Sequence, residues 1–218
     1  LTLTPVHDAL DTIRQMKHAL LNRQRFKGWS GPTRILSGTL AIGAALALQW
    51  EWIPRGNMAH TFTWGTVFLA AMFLNLGALA YWFWNDPLIH RNPRRLGPLL
   101  DVIPPLFVGA VFTLYLLLHR WFDPLFGVWM CMFGLTNLAS RYLLPAAIGW
   151  VGAFYILAGM ICLLNPNIDF LDPWAMGLVF FAGEWTGGLI LYFDERRYAA
   201  FERMWRKQDD TSKETETP

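Results

Sequence analysis

PWAMGLVFFAGEWTGGLILYFDERRYAAFERMWRKQ, residues 173–208, decides how the whole chain is read. From Pro173 to Phe193 it holds one charged side chain, Glu184, and at Asp194 a dense run of charge begins. About 20 apolar residues, each rising ~1.5 Å, cross a hydrocarbon core of ~30 Å. The run therefore predicts a transmembrane helix over 174–193 that leaves the membrane at Asp194 and continues as a polar helix. The final DDTSKETETP is too polar to fold by itself and is expected to be disordered.

Five more segments of this kind precede it, at about 33–53, 62–84, 98–119, 124–144 and 146–164. Proline or charge breaks every junction: IPRGNMAH, NDPLIHRNPRR, HRWFDP, RYLLP and NPNIDFLDP. Junctions this short make consecutive helices antiparallel. Composition agrees, since 54% hydrophobic residues against 16% charged ones is more apolar surface than a soluble domain of 218 residues buries. The predicted fold is all-α, a polytopic bundle of six transmembrane helices over 33–193.

Basic residues orient the bundle. They concentrate in the first 34 residues, in Arg91–Arg95 and after Asp194, so an N-in, C-in topology leaves only Arg55 and Arg120 outside. The same segregation speaks against direct nucleic-acid binding, because the net charge of +2 averages over loops that flank apolar spans. Trp50, Trp52, Trp64, Trp82, Trp84, Trp121 and Trp174 cluster at span ends, as interfacial anchors do.

Ahead of the bundle, TPVHDALDTIRQMKHALLNRQRF (4–26) sets Val6, Leu10, Ile13, Met16 and Leu20 at helical spacing opposite Arg14, Lys17, Arg23 and Arg25. Pro5 and Asp8 suit a helix start. This predicts a cytoplasmic amphipathic helix within 1–32 that lies on an anionic membrane surface, docks on a partner, or packs on its own loops. No basic stretch runs directly into an apolar one there, so no cleaved leader is expected and the first span serves as insertion signal. Residues 194–218 form the cytoplasmic helical extension and tail. Pro104-Pro105 should kink or start the third helix. MFLNLGALAY (72–81) and MFGLTNLASRY (132–142) hint at an internal repeat.

Residues able to carry chemistry are few. Glu184 sits near the middle of its span, where a lone acidic side chain costs ~2.5–3.5 kcal/mol unless it turns inward, is protonated or is paired. Gly183 and Gly187 beside it form a small-xxx-small pair that admits a neighbouring backbone. By depth, Asn75, Asn137 and Arg141 fall close to Glu184, and the four make an expected polar layer. Each is a candidate ligand contact or a clasp between helices. Asp101, near Arg94 and Arg95, suits an interfacial ion pair or a cytoplasm-facing pocket. His60 and His119 fall at the outer interface, and all five histidines are expected as surface or interfacial groups. No histidine lies mid-span for a haem, and Cys131 and Cys162 are too few for a disulfide framework or a Cys-rich metal site. No HExxH, GxSxG, GxxxxGK[ST] or CxxC pattern occurs. The expectation is a protein without catalytic residues, metal or cofactor.

RQRFKGWSGPTRILSGTLA (23–41), RRLGPLLDVIPPLFVGAVFTLYLL (94–117), GLTNLASRYLL (134–144) and PWAMGLVFFAGEWTGGLILYFDE (173–195) together resemble an uncharacterised family of small six-span bacterial inner-membrane proteins, typically encoded beside a winged-helix transcription regulator. The resemblance implies the bacterial inner membrane and a regulatory setting, and brings no activity with it. The leading expectation is thus a non-enzymatic sensory or regulatory bundle. It would bind membrane lipid, a small-molecule or lipid ligand, or a cytoplasmic protein such as a transcription regulator, and couple it to the cytoplasmic elements. The alternatives are a small transporter or permease using the polar layer as a midplane site, and a structural subunit of a larger membrane complex.

Overall fold

A computed structural model describes residues 30–85, 97–140 and 144–215. Among them the chain is entirely helical, without strands, in six helices: α1 Gly31–Gln49, α2 Asn57–Asn85, α3 Gly97–Leu118, α4 Leu125–Ala139, α5 Ile148–Leu164 and α6 Pro173–Thr215. The expected amphipathic helix at 4–26, residues 216–218 and Arg141 lie outside the described residues, while the tail expected to be disordered from 209 is helical as far as Thr215.

Among the described residues four stretches are long and apolar enough to cross a membrane: Gly31–Gln49, Asn57–Asn85, Leu100–Leu118 and Pro173–Arg197. This marks the chain as a membrane protein. Its surface agrees, because Phe62, Leu69 and Phe73 on α2 and Phe107, Leu114 and Leu118 on α3 are exposed large apolar side chains. The other two helices depart from the ~20-residue spans expected of them. The 15 residues of α4 and 17 of α5 reach only about 22–26 Å. α4 ends on a C-cap at Ser140, and Pro145 bars a helix from running through the junction. α3, by contrast, runs through Pro104 and Pro105 from a start at Gly97, so the double proline does not begin the helix.

Local chemistry fixes the helix ends. Pro32 occupies the first turn of α1, where a missing N–H costs nothing. The Asp172 carboxylate accepts the Trp174 amide at 3.0 Å and so caps α6. α1 and α3 finish on the same device: Glu51 (φ 55°) and Arg120 (φ 57°) adopt the left-handed conformation, and the next amide reaches back over a full turn, Trp52 to Ala47 O at 3.0 Å and Trp121 to Leu116 O at 2.9 Å.

Two antiparallel pairs form the frame. In α4–α5, Gly127 faces Gly159 and Gly134 faces Gly152, so closely that a Cβ on Gly134 would stand 2.7 Å from the Gly152 carbonyl oxygen. In α1–α6, Gly31 faces Gly188 with a similar 2.6 Å clearance, and Gly38 and Ala45 continue the seam at seven-residue spacing against Phe181 and Gly177. α5 lies against α6, α3 against α4, and α2 against α1. At one end of the bundle Leu48, Trp64, Phe122, Phe126 and Phe170 bury a largely aromatic core. The other end is held differently.

Candidate functional site

Glu184 lies on the buried face of α6, and two helices supply its partners. Arg34, in the first turn of α1, grips the carboxylate with a two-pronged fork: Nε donates to Oε2 at 3.0 Å and Nη2 to Oε1 at 2.6 Å. Tyr155, from α5, donates its hydroxyl to Oε1 at 3.1 Å. All three are enclosed, Arg34 at 6%, Glu184 at 4% and Tyr155 at 0% exposure. Both carboxylate oxygens are thereby occupied by strong donors, the condition under which an ion pair survives away from water.

Glycine makes the room. A Cβ at Gly187 would run into the Arg34 guanidinium, 2.7 Å from its central carbon, and one at Gly183 would collide with the Tyr155 ring. The Gly183/Gly187 pair therefore seats two side chains, whereas the expectation was an approaching backbone. Backbone contact occurs one residue on, at Gly188 against Gly31. Phe133, Tyr155 and Phe180 then stack around the cluster with ring centroids 5.0–5.2 Å apart. Further along the same seam the Trp185 indole donates to Thr39 Oγ1 and that of Trp174 to Gln49 Oε1, each at 3.1 Å.

The expected polar layer takes a different membership. Asn75 meets a neighbouring face of α1, that of Thr33 and Ser37, and makes no hydrogen bond to Glu184 among the described residues. Its Oδ1 is 3.2 Å from the Thr33 hydroxyl, and its amide nitrogen donates to Ala71 O at 2.8 Å and lies 3.5 Å from Ser37 Oγ. Asn137 is buried and bonds within α4, donating to Phe133 O at 2.9 Å. The two asparagines thus share one local habit, an amide returned to the carbonyl four residues earlier. Asp101 is exposed on α3, apart from the cluster. Arg141 lies outside the described residues. Two sets of polar contacts therefore meet adjacent faces of α1: Asn75 with Thr33 and Ser37, and Arg34 with Glu184 and Tyr155.

Arg34 and Tyr155 were not expected there. Arg34 closes a basic stretch that in the sequence reads as loop topology, and Tyr155 is one aromatic residue inside an apolar run. Gly187 was the available signal, because a glycine one turn from a buried acid makes space for a large basic partner.

His60 also differs from expectation: it is buried, at 1% exposure, against Phe170 at a centroid distance of 6.1 Å. His119 is exposed and stacks on Tyr115 at 4.2 Å. No three His, Cys, Asp or Glu side chains converge on a common point among the described residues. A groove on α3, lined by Phe107, Val108, Val111, Phe112 and Tyr115, is apolar and remote from the cluster. No family model, curated protein or solved structure matches the chain.

Proposed function

We propose that the chain is a six-span, N-in, C-in protein of the bacterial inner membrane that does no catalysis and works as a sensory or regulatory element. A stimulus received in the membrane part reaches the cytoplasm through the ionic clasp between its first and last helices. The observation that carries this reading is the Arg34–Glu184 fork. It joins α1, whose N-terminal end follows the basic segment 4–26, to α6, which continues into the charged run 194–208. These two segments are the parts of the chain suited to touch a cytoplasmic partner such as a transcription regulator, with membrane lipid or a small lipid-like molecule as the stimulus.

Energetics favour a switch over a rivet. A buried ion pair holds two groups that each cost several kcal/mol to desolvate, and an apolar pair of the same volume is often as stable or more so. In a bilayer the alternative is easier still, since the Gly31–Gly188 seam already packs α1 on α6. A fork that is dispensable for packing yet expensive to open by halves gives two well-separated states.

The test is protease access to residues 1–29 and 198–215 in inverted vesicles, comparing the parent with Glu184→Gln and Arg34→Gln. Both variants are expected to insert normally, label from outside near Arg55 and Arg120, and expose the two cytoplasmic segments faster than the parent. Parental cleavage rates in both variants would sink the coupling, and outside labelling of the 86–97 junction would sink the orientation. Flux of a polar solute through reconstituted protein would transfer the reading to a permease.

A further inference from the structure

His60 is placed where a second proton has nowhere to go. It lies in the first turn of α2, 1% exposed, and its Nδ1 has no hydrogen-bond partner among the described residues. One turn along the same helix the indole Nε1 of Trp64, 3% exposed, is likewise unpartnered. Two orphaned polar atoms in a core are uncommon, because buried N–H groups nearly always find an acceptor. The rest of the imidazole's surroundings bind it to the junction ahead of α6. It reaches the Phe170 backbone, and the Phe170 ring packs on Phe126 at 4.7 Å and on Phe122 at 5.8 Å, while Trp64 meets Phe126 edge-on at 5.9 Å. Charged groups face it from two elements, Arg55 from the segment before α2 and Asp169 from the α5–α6 junction. The aromatic residues around it bring none.

A neutral imidazole fits this setting, with one nitrogen unprotonated. The charged form would add at Nδ1 an N–H donor that, like the Trp64 N–H, has no acceptor among the described residues, and a positive charge among phenylalanines with Arg55 nearby. Only Asp169 would answer it, and Asp169 is exposed on the junction. Gaining water, or closing on the exposed Asp169 carboxylate, would disturb the packing of His60 on the Phe170 ring.

We propose that His60 is a proton-operated latch that fastens the start of α2 to the 165–172 junction when neutral and releases it when protonated. The latch itself stands on the geometry around His60. That the proton comes from outside the cell, and that α6 carries the release inward, rests on the topology and coupling proposed above.

The experiment uses the full chain, with Cys131 and Cys162 replaced by Ala and spin labels on cysteines at the exposed positions 57 and 167. In detergent both ends of the bundle meet the buffer, so orientation does not enter. Between about pH 8 and about pH 5, where histidine side chains titrate, the label separation in the parent should lengthen and broaden reversibly. His60→Phe should hold the high-pH distribution throughout. If His60→Phe does not fold, His60→Gln decides, being similar in size and unable to titrate. A parent distribution indifferent to pH, or a variant that keeps the pH response, would overturn the latch. The same pairs in sealed vesicles then separate it from the coupling: a latch that opens in detergent but ignores external acid leaves the latch standing and the orientation wrong.

Discussion

The α4–α5 and α1–α6 pairs are built on the same joint and loaded differently. Both are antiparallel and both bring glycine backbones together, Gly127 and Gly134 against Gly159 and Gly152 in one, Gly31 against Gly188 in the other. In α4–α5 the glycines face carbonyls, Leu138, Ile156, Leu163 and the Cys131 thiol, so the seam is apolar and its strength comes from close packing alone. In α1–α6 the neighbouring Gly187 opens a slot that a guanidinium fills. The first joint weakens gradually as contacts are removed. The second holds or fails as a unit, because half an ion pair is worse than none.

This difference sets the size of the expected effects. Glu184→Leu should be the most damaging, at about 3–5 kcal/mol, because it strands the Arg34 charge inside the bundle. Adding Arg34→Met to Glu184→Leu should recover most of that loss, measured by SDS-induced unfolding of the detergent-solubilised protein. A double variant no more stable than Glu184→Leu alone would mean that the fork is not a coupled unit.

In the apolar joint, Gly134→Ala should cost about 1–3 kcal/mol by forcing the two backbones apart. Gly77→Ala on α2, where nothing stands within 4 Å, should change stability by no more than ~0.5 kcal/mol. The contrast collapses if both alanines behave alike in the same unfolding assay.

Within the clasp, Tyr155→Phe should have the smallest effect, about 0.5–1.5 kcal/mol, since it removes one hydrogen bond from Glu184 and leaves the ring packed in the Gly183 hollow. Its cycle with Arg34→Met reads whether hydroxyl and guanidinium support each other through the shared Oε1. Strict additivity would show the tyrosine to be mere filling.

How much of this the sequence carries depends on the range of the interaction. Hydropathy finds the helices because lipid imposes the same demand on every residue of a span, so α1, α2 and α3 emerge within a few residues of the expected limits. It carries α4 past its C-cap at Ser140, since an apolar run does not reveal a cap, while α5 starts two residues after its expected limit and ends on it. Glu184 is conspicuous in its span because charge in such a run has to be answered. Its partner is not, because Arg34 lies 150 residues away in a basic stretch whose other members have an ordinary topological explanation. Asn75 and Asn137 share one local bonding habit, yet Asn75 meets the Thr33–Ser37 face of α1 and not the Arg34 face that grips Glu184, and depth read from sequence is blind to which face of a helix a residue meets. His60 illustrates the same limit: position along the span marks it as interfacial, and only the folding of the 165–172 junction over it puts it inside.

The unbroken length of α6 has a mechanical corollary. Thr215 lies 31 residues beyond Glu184 on the same helix, a rod of about 47 Å at ~1.5 Å per residue. Pivoted at the clasp, a tilt of only about 5° would sweep its tip through roughly 4 Å, about the width of a side-chain contact. Sub-ångström slack at the Arg34–Glu184 fork, too small to disturb the surrounding packing, would therefore decide at the far end whether a docked surface is met or missed.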